Sequence, residues 1–432
     1  MGIIPPQGAW LKCRDNYREL PIALFGSIIA GMNVVMIGPF AFKPKSTVRA
    51  RALLIGQALV KRGHQVTILM PPYDNLDDSG RAWIQEGVRL ENMVLPRDDT
   101  LRRIAVPMRM ARRAVGLRPD LVHLFKPIGY SGLTGIYLRR LSRCPLVLDT
   151  DDWEGIGGWT DVNPYPGLLK RLFPWQERWL ALHADAVTVA SRALETQVWG
   201  FGVDPARVTY LPNGPDPALR DQPPATDEQM AEVRAQLGVG DAPLAIYVGH
   251  IPRGSDMDLA IEAMARVAGQ LPEARLVIAG LGGGLPDLQA QAQSLGVADR
   301  VLFPGWIPRE QVPLYVAAAD ISVNPYRDTL INRSKCAVKG VIAMAMGKAI
   351  VSTRVGQNLE YIENGHSGLL TEPGDADGLA QALVAVLSNR EWAVELGRNA
   401  RQRIWNKFDW DLRAGLVESV YQAAQDRAGN RR

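Results

Sequence analysis

The sequence predicts an α/β protein made of two doubly wound parallel sheets. Three observations lead there: short β-branched apolar runs alternate with helical patterns, the alternation comes in two blocks, and a Pro/Gly-rich stretch separates the blocks. In the first block the strand-like runs are NVVMIG (33–38), QVTILM (65–70), LVHLF (121–125), LVLD (146–149) and AVTVA (186–190), with a helical pattern over 47–62. Near-continuous apolar runs of this length suit strands covered on both faces. In the second block LAIYVG (244–249), RLVIAG (275–280), RVLFPG (300–305), ISVN (321–324) and AIVST (349–353) repeat the rhythm. Helical stretches at 256–270, 284–296, 309–319 and 335–346 join them.

The separator is LPNGPDP at 211–217, followed by the polar DQPPATDEQ, and it reads as a hinge. The domains are accordingly placed at 32–213 and 214–405, with the aromatic-bearing helical segment 406–432 crossing back onto the first. A chain of 432 residues exceeds one comfortable core, in keeping with two domains. Leu20 to Phe42 carries no charge and formally reaches the length of a membrane span. Gly26 and Gly31 interrupt it, and NVVMIGP reads as a buried first strand, so residues 1–31 are taken as an extension, with a signal anchor as the rival reading.

Composition excludes several classes. The content is 47% hydrophobic and 22% charged, ordinary for a globular chain. Cys13, Cys144 and Cys336 are odd in number and far apart, which encodes neither a disulfide framework nor a zinc site and fits a reducing cytoplasm. A net charge of +4 is too mild to imply nucleic-acid binding. Charge concentrates only between Arg102 and Arg118, where six arginines interleave with apolar residues and Pro107 is expected to confine helix to the C-terminal half. A solvated helix face is the first reading; seating on an anionic membrane surface, at the inner face of the membrane, is the second.

Several motifs occur in a fixed order: PNGPD (212–216), YVGHIPRG (247–254), VLFPGW (301–306), Ala319-Asp320, AMAMGK (343–348) and G-x-x-G-L-L-T-x-P-G-D (365–375). Taken together, this series resembles glycosyltransferase family 4, the GT-B enzymes of glycosyl transferases group 1. The first block resembles the family more loosely, through the Gly38 loop, RGHQVT (62–67) and PDLVH (119–123). The resemblance implies two Rossmann-like domains facing across a cleft, a nucleotide-sugar donor held mainly by the second, a glycan, lipid-linked or small-molecule acceptor, retention of configuration, and no metal or other cofactor.

Sugar transfer builds negative charge on the departing diphosphate, so fixed cations are needed there. The resemblance puts Arg253 where the family has lysine and His250 where it has arginine. Lys335 and Lys339, spaced i, i+4, are expected on one helical face as further cations. Gly38, Lys45, Asn213, Gly249, Asp328 and Glu360 complete the donor-side set. GPFAFKPKSTVR (38–49) is a poor P-loop because Pro44 stands where a second glycine is required; its helix start reads instead as a diphosphate contact, or as a plain cap at Ser46 or Thr47.

For the acceptor side, DTDDWEG (149–155) follows a strand, so its acids are expected at the ligand-binding end of the sheet. Asp151 or Asp152 is assigned to orienting the hydroxyl or taking its proton, with divalent-metal binding by D-x-D ranked below. His123, at the end of another strand, is a second acceptor-side candidate or a buried structural histidine. The family's E-x7-E is missing: Ser334 and Ile342 occupy the two positions. A noncatalytic nucleotide-sugar-binding protein and a sugar-nucleotide epimerase stand as alternatives on that ground. Sugar and base specificity and oligomeric state leave no mark in the sequence.

Overall fold

The computed structural model describes residues 31–42 and 48–431. The extension at 1–30 and Lys45, with its neighbours Ser46 and Thr47, lie outside the described residues. Two compact units emerge, one of residues 31–213, 333–336 and 408–431, the other of 214–332 and 337–407.

The first unit holds eight strands: β1 Asn33–Ile37, β2 Gln65–Met70, β3 Ala82–Gln85, β4 Val88–Asn92, β5 Leu121–Phe125, β6 Leu146–Thr150, β7 Ala186–Val189 and β8 Val208–Tyr210. Their order is β3-β4-β2-β1-β5-β6-β7-β8, parallel except for the β3–β4 edge hairpin. That hairpin departs from the expected all-parallel sheet. Its turn, Glu86-Gly87, has positive φ at both residues (47° and 82°), the backbone that a two-residue hairpin demands. Alternation in burial along β4 leaves one face to solvent, which is why the segment lacks a solid apolar run.

Helices cover both faces. Leu53–Lys61 opens with a π turn at Val48–Ala52 and buries Leu53, Ile55 and Leu59 with β1, β2 and the final helix Trp410–Gly429, whose Trp410, Val417 and Tyr421 complete the same cluster. On the other face, Asp99–Gly116 and Gly129–Leu141 cover Val35, Ile37 and Leu124. The first of these runs through Pro107 without a break, contrary to the expected half-length helix. Proline removes one backbone bond and adds a ring clash, a cost of about 3 kcal/mol or more in an isolated helix. Burial of Val106, Met110, Ala111 and Ala114, each with no exposed surface, offsets it. Three of its arginines are engaged within the unit: Arg113 pairs with Glu91, Arg109 with the Val94 carbonyl and Arg102 with the Pro96 and Arg97 carbonyls.

The second unit holds β9 Leu244–Val248, β10 Arg275–Ala279, β11 Val301–Gly305, β12 Ile321–Asn324, β13 Ala349–Thr353 and β14 Leu369–Thr371, all parallel, in the order β11-β10-β9-β12-β13-β14. Its core gathers Ile278, Val323 and Val351 of the sheet with Leu259, Met264 and Leu383 of the helices. Each sheet has one point where the chain reverses its direction of winding, β1/β5 in the first and β9/β12 in the second. Open α/β sheets bind ligands beyond the strand C-termini at such points. Among the described residues, no helix is long and apolar enough to cross a membrane.

Candidate functional site

In the second unit the donor-side residues assemble around the reversal point. Gly249, His250 and Arg253 follow β9, Asp328 follows β12, and Glu360 lies in the short Asn358–Tyr361 helix after β13. The loop after β9 is laced to a glycine turn after β10: Gly249 donates to the Ala279 carbonyl at 2.9 Å, Ile251 to Leu281 at 3.0 Å, and Gly284 to Ile251 at 3.1 Å. These loops approach so closely that a Cβ on Gly280 would lie 1.8 Å from the Gly249 oxygen. A Cβ on Gly249 would lie 2.1 Å from Cε of Lys339, so glycine here is what admits the lysine side chain.

Lys339 lies over the Tyr247 ring, 4.6 Å from its centroid, and donates to the Tyr247 hydroxyl, which in turn donates to the His250 carbonyl at 3.0 Å. Burial pulls the Lys339 ammonium down to about 8, with Asp256 opposing that shift. A diphosphate beside it would restore the charge. Arg253 is exposed, its side chain alongside Gly283, and among the described residues no carboxylate pairs with it. The two expected lysines do not share a helical face. Lys335 sits in a bend between the Leu330–Ser334 and Val338–Ala345 helices, because residues 335–337 break the helix. Ile342 lines a cavity of about 30 Å³ with Tyr247, Asn324 and Lys339, so an apolar side chain occupies the place of the family's second glutamate. Ser334, at the first, is fully buried.

In the first unit Gly38 directly follows β1, but its amide donates to the Leu69 carbonyl at 2.9 Å and is therefore not an open phosphate donor. Asn213 is buried and accepts from Arg51 at 2.7 Å, which makes it part of an internal network rather than an open donor contact. Arg51 also grips both Asp149 oxygens, at 2.6 and 2.7 Å. Burial weighs against the guanidinium charge, yet Asp149 more than restores it and the pKa stands above the usual arginine value. Asp149 thus belongs inside β6, where Thr188 donates to it at 2.6 Å, and is not one of three acids at the sheet end.

His123 is corrected likewise. It occupies the middle of β5, has no exposed surface, and contacts the Tyr421 hydroxyl at 2.9 Å and Thr188 at 3.4 Å. Burial lowers its pKa to about 4. A neutral histidine sealed in this way is structural.

Asp151 and Asp152 do stand just past the C-terminus of β6, together with two residues that sequence reasoning missed. Lys126, immediately after β5, reaches Asp152 at 2.5 Å, Glu154 at 2.7 Å and Asp151 at 3.1 Å. Burial opposes the lysine charge, but the three carboxylates outweigh it and raise its pKa well above the ordinary value. For Asp151, burial is the largest influence and lifts the carboxyl to about 7; Lys126 lowers it, and Asp152 and Asp149 raise it further. Glu177, also missed, accepts from the Glu154 and Gly155 amides at 3.0 Å each and so pins the acidic loop.

Residues 229–403 match the family model described as glycosyl transferases group 1, and residues 46–214 match the glycosyl transferase 4-like domain, together more than half of the chain. The GDP-mannose-dependent alpha-(1-6)-phosphatidylinositol monomannoside mannosyltransferase of Mycolicibacterium smegmatis is 25% identical over 84% of this chain and 92% of its own length. A glycogen synthase of Mycobacterium tuberculosis is 26% identical over 86% and 89%. Among solved structures, sucrose-phosphate synthase of Thermosynechococcus elongatus superposes with a TM-score of 0.70 at 22% identity, covering 90% of this chain and 98% of that one. Anabaena HepE in complex with UDP and glucose gives 0.69 at 19% identity, over 90% and 100%. The chain therefore belongs to glycosyltransferase family 4, the group 1 glycosyl transferases, and is a GT-B enzyme that moves a glycosyl group from a nucleotide-sugar donor.

Proposed function

We propose that this enzyme transfers a hexosyl group, with retention, from a nucleoside-diphosphate sugar to a hydroxyl of a glycan, and that the second unit holds the donor through Arg253 and Lys339. The observation that carries the proposal is the β9 loop, where Gly249 admits the Lys339 side chain and Arg253, four residues on, is exposed. Both cations lie at the strand end where an anionic ligand belongs. In the reaction, for configuration to be retained, the acceptor oxygen bonds to the anomeric carbon on the same face from which the diphosphate leaves as its carbon–oxygen bond breaks. The electron pair goes to the departing phosphate, whose charge Arg253 and Lys339 stabilise. The hydroxyl proton passes to Asp151, whose carboxyl near 7 is matched to that task. His250, Asp328 and Glu360 are assigned to contacts with the sugar or the base, and Lys335 to a supporting charge. A lipid-linked glycan is favoured as acceptor by the basic helix Asp99–Gly116, whose exposed Arg103 and Arg112 suit an anionic membrane surface.

The test is release of free nucleoside diphosphate from UDP-glucose, GDP-mannose and ADP-glucose, with and without glycan and glycolipid acceptors. Release that depends on acceptor is expected. Interconversion of the sugar without release, or binding without turnover, would overturn the proposal. Asp151→Asn is expected to lower kcat by ~100-fold, in the range of general-base loss, while donor affinity changes little. Equal loss of both would remove Asp151 from proton transfer.

A further inference from the structure

We propose that Lys126 is the positioning residue of the acceptor side: its ammonium, in ion-pair contact with the Asp151 carboxylate, favours the ionised form that receives the acceptor proton. The inference rests on the assignment of Asp151 given above.

The backbone gives the first reason. Lys126 adopts φ of +62°, a left-handed conformation that is unfavourable for a side-chain-bearing residue. The turn is held from β6, since the Lys126 amide donates to the Asp149 carbonyl at 3.0 Å. Its own carbonyl accepts from the buried Ser131 hydroxyl at 2.6 Å. A lysine kept in a strained turn, with its ammonium buried, is over-determined by its surroundings.

Charge supplies the second reason. One ammonium lies within 3.1 Å of an oxygen from each of Asp151, Asp152 and Glu154. Without it, three carboxylates in a buried corner could not all remain ionised, because like charges so close raise one another's pKa. The charged groups with the largest bearing on Asp151 fall into two sets. Asp152 and Asp149 disfavour its ionisation, while Lys126 and Arg51 favour it. The Cys336 thiol and Tyr165 phenol near the cluster are both pushed up by burial and stay neutral at pH 7.

The third reason is that the acidic loop is fastened without Lys126. Glu177 holds the Glu154 and Gly155 amides, and the Thr160 hydroxyl and amide both donate to the Glu154 carbonyl, at 2.5 and 2.9 Å. Loss of the ammonium is thus expected to disturb the charge of Asp151 more than the path of the loop.

The experiment compares Lys126→Met, Lys126→Arg, Asp152→Asn and Asp151→Asn in the full chain, with folding checked by thermal denaturation. Two readouts are taken: the pH profile of kcat and KM in the nucleotide-release assay, and the carboxyl titration followed by 13C NMR with labelled aspartate, which needs no turnover. Lys126→Met is expected to move the acid limb and the Asp151 midpoint upward by about one pH unit or more, and to lower kcat at pH 7 by ~10-fold with donor KM nearly unchanged. Lys126→Arg is expected to restore both, and Asp152→Asn to move both downward. An unmoved Asp151 midpoint in a folded Lys126→Met variant overturns the inference, even if kcat falls. An Asp151→Asn variant that keeps its rate and its acid limb refutes the proton-acceptor assignment itself, and the inference with it. An inactive Asp151→Asn beside an unmoved Lys126→Met leaves that assignment standing and removes only the role of Lys126.

Discussion

The acceptor-side and donor-side clusters treat their principal cations in opposite ways. In the first, Arg51 and Lys126 are buried and enclosed by carboxylates: Asp149 takes one, and Asp151, Asp152 and Glu154 take the other. In the second, Arg253 is exposed and Lys339 rests on the Tyr247 ring, and no carboxylate contacts either among the described residues. Neutralised cations organise the polypeptide, whereas unneutralised ones keep their field for an incoming anion. Positive charge by itself is thus a poor guide to a phosphate site; what separates the two groups is whether an acid has already answered it.

Arg51→Ala tests the first half of this contrast most severely. It strands Asp149 without its ion pair in a fully buried setting, a change that costs about 3–5 kcal/mol. The urea midpoint of unfolding checks it, and a loss below about 1 kcal/mol would show that the pair organises nothing. Next in size is the pH dependence that His123 imparts. Its folded pKa of about 4 lies below the unfolded value, so the unfolded chain binds the proton first and stability falls as pH drops from about 6.5 toward 4. The contribution is no more than about 3 kcal/mol, and His123→Asn should flatten that part of the stability profile. Arg253→Ala has the smallest expected effect. Donor kcat/KM should fall at least ~10-fold, or ~1.4 kcal/mol, with the unfolding midpoint within ~0.5 kcal/mol of the parent. If stability fell while donor kinetics held, Arg253 would belong with Arg51 and the contrast would be broken.

The reading of the second sheet from sequence succeeded because its strands are solid apolar runs, buried along nearly their whole length, as in β9 and β10. β3 and β4 escaped notice because they alternate, yet Val88 and Leu90 alternating with polar residues just after Glu86-Gly87 were a legible hairpin signal. The glycines at 280–284 were legible too, as a cluster between a strand and a helix start. Lys126 was not. Nothing near it in the chain marks it, and its partners lie 25 to 28 residues on, brought to it by the pairing of β5 with β6. His123 and Asp149 misled for a related reason: a polar residue in an apolar strand suggests chemistry, while here each satisfies the other's neighbours, Thr188 above all. The supposed shared face of Lys335 and Lys339 failed because i, i+4 spacing has meaning only where the helix is unbroken.

The closing helix Trp410–Gly429 bears on how the molecule is made. Tyr421 meets His123, Glu418 takes Arg62 at 2.7 Å and His64 at 2.9 Å, and Trp410 is fully buried in the first unit's core. As the ribosome extrudes the chain, the earliest block emerges with a face still uncovered and must wait while the whole intervening block is synthesised. That block, contiguous save for four residues, can reach its native packing sooner, so the order of maturation runs against the order of translation.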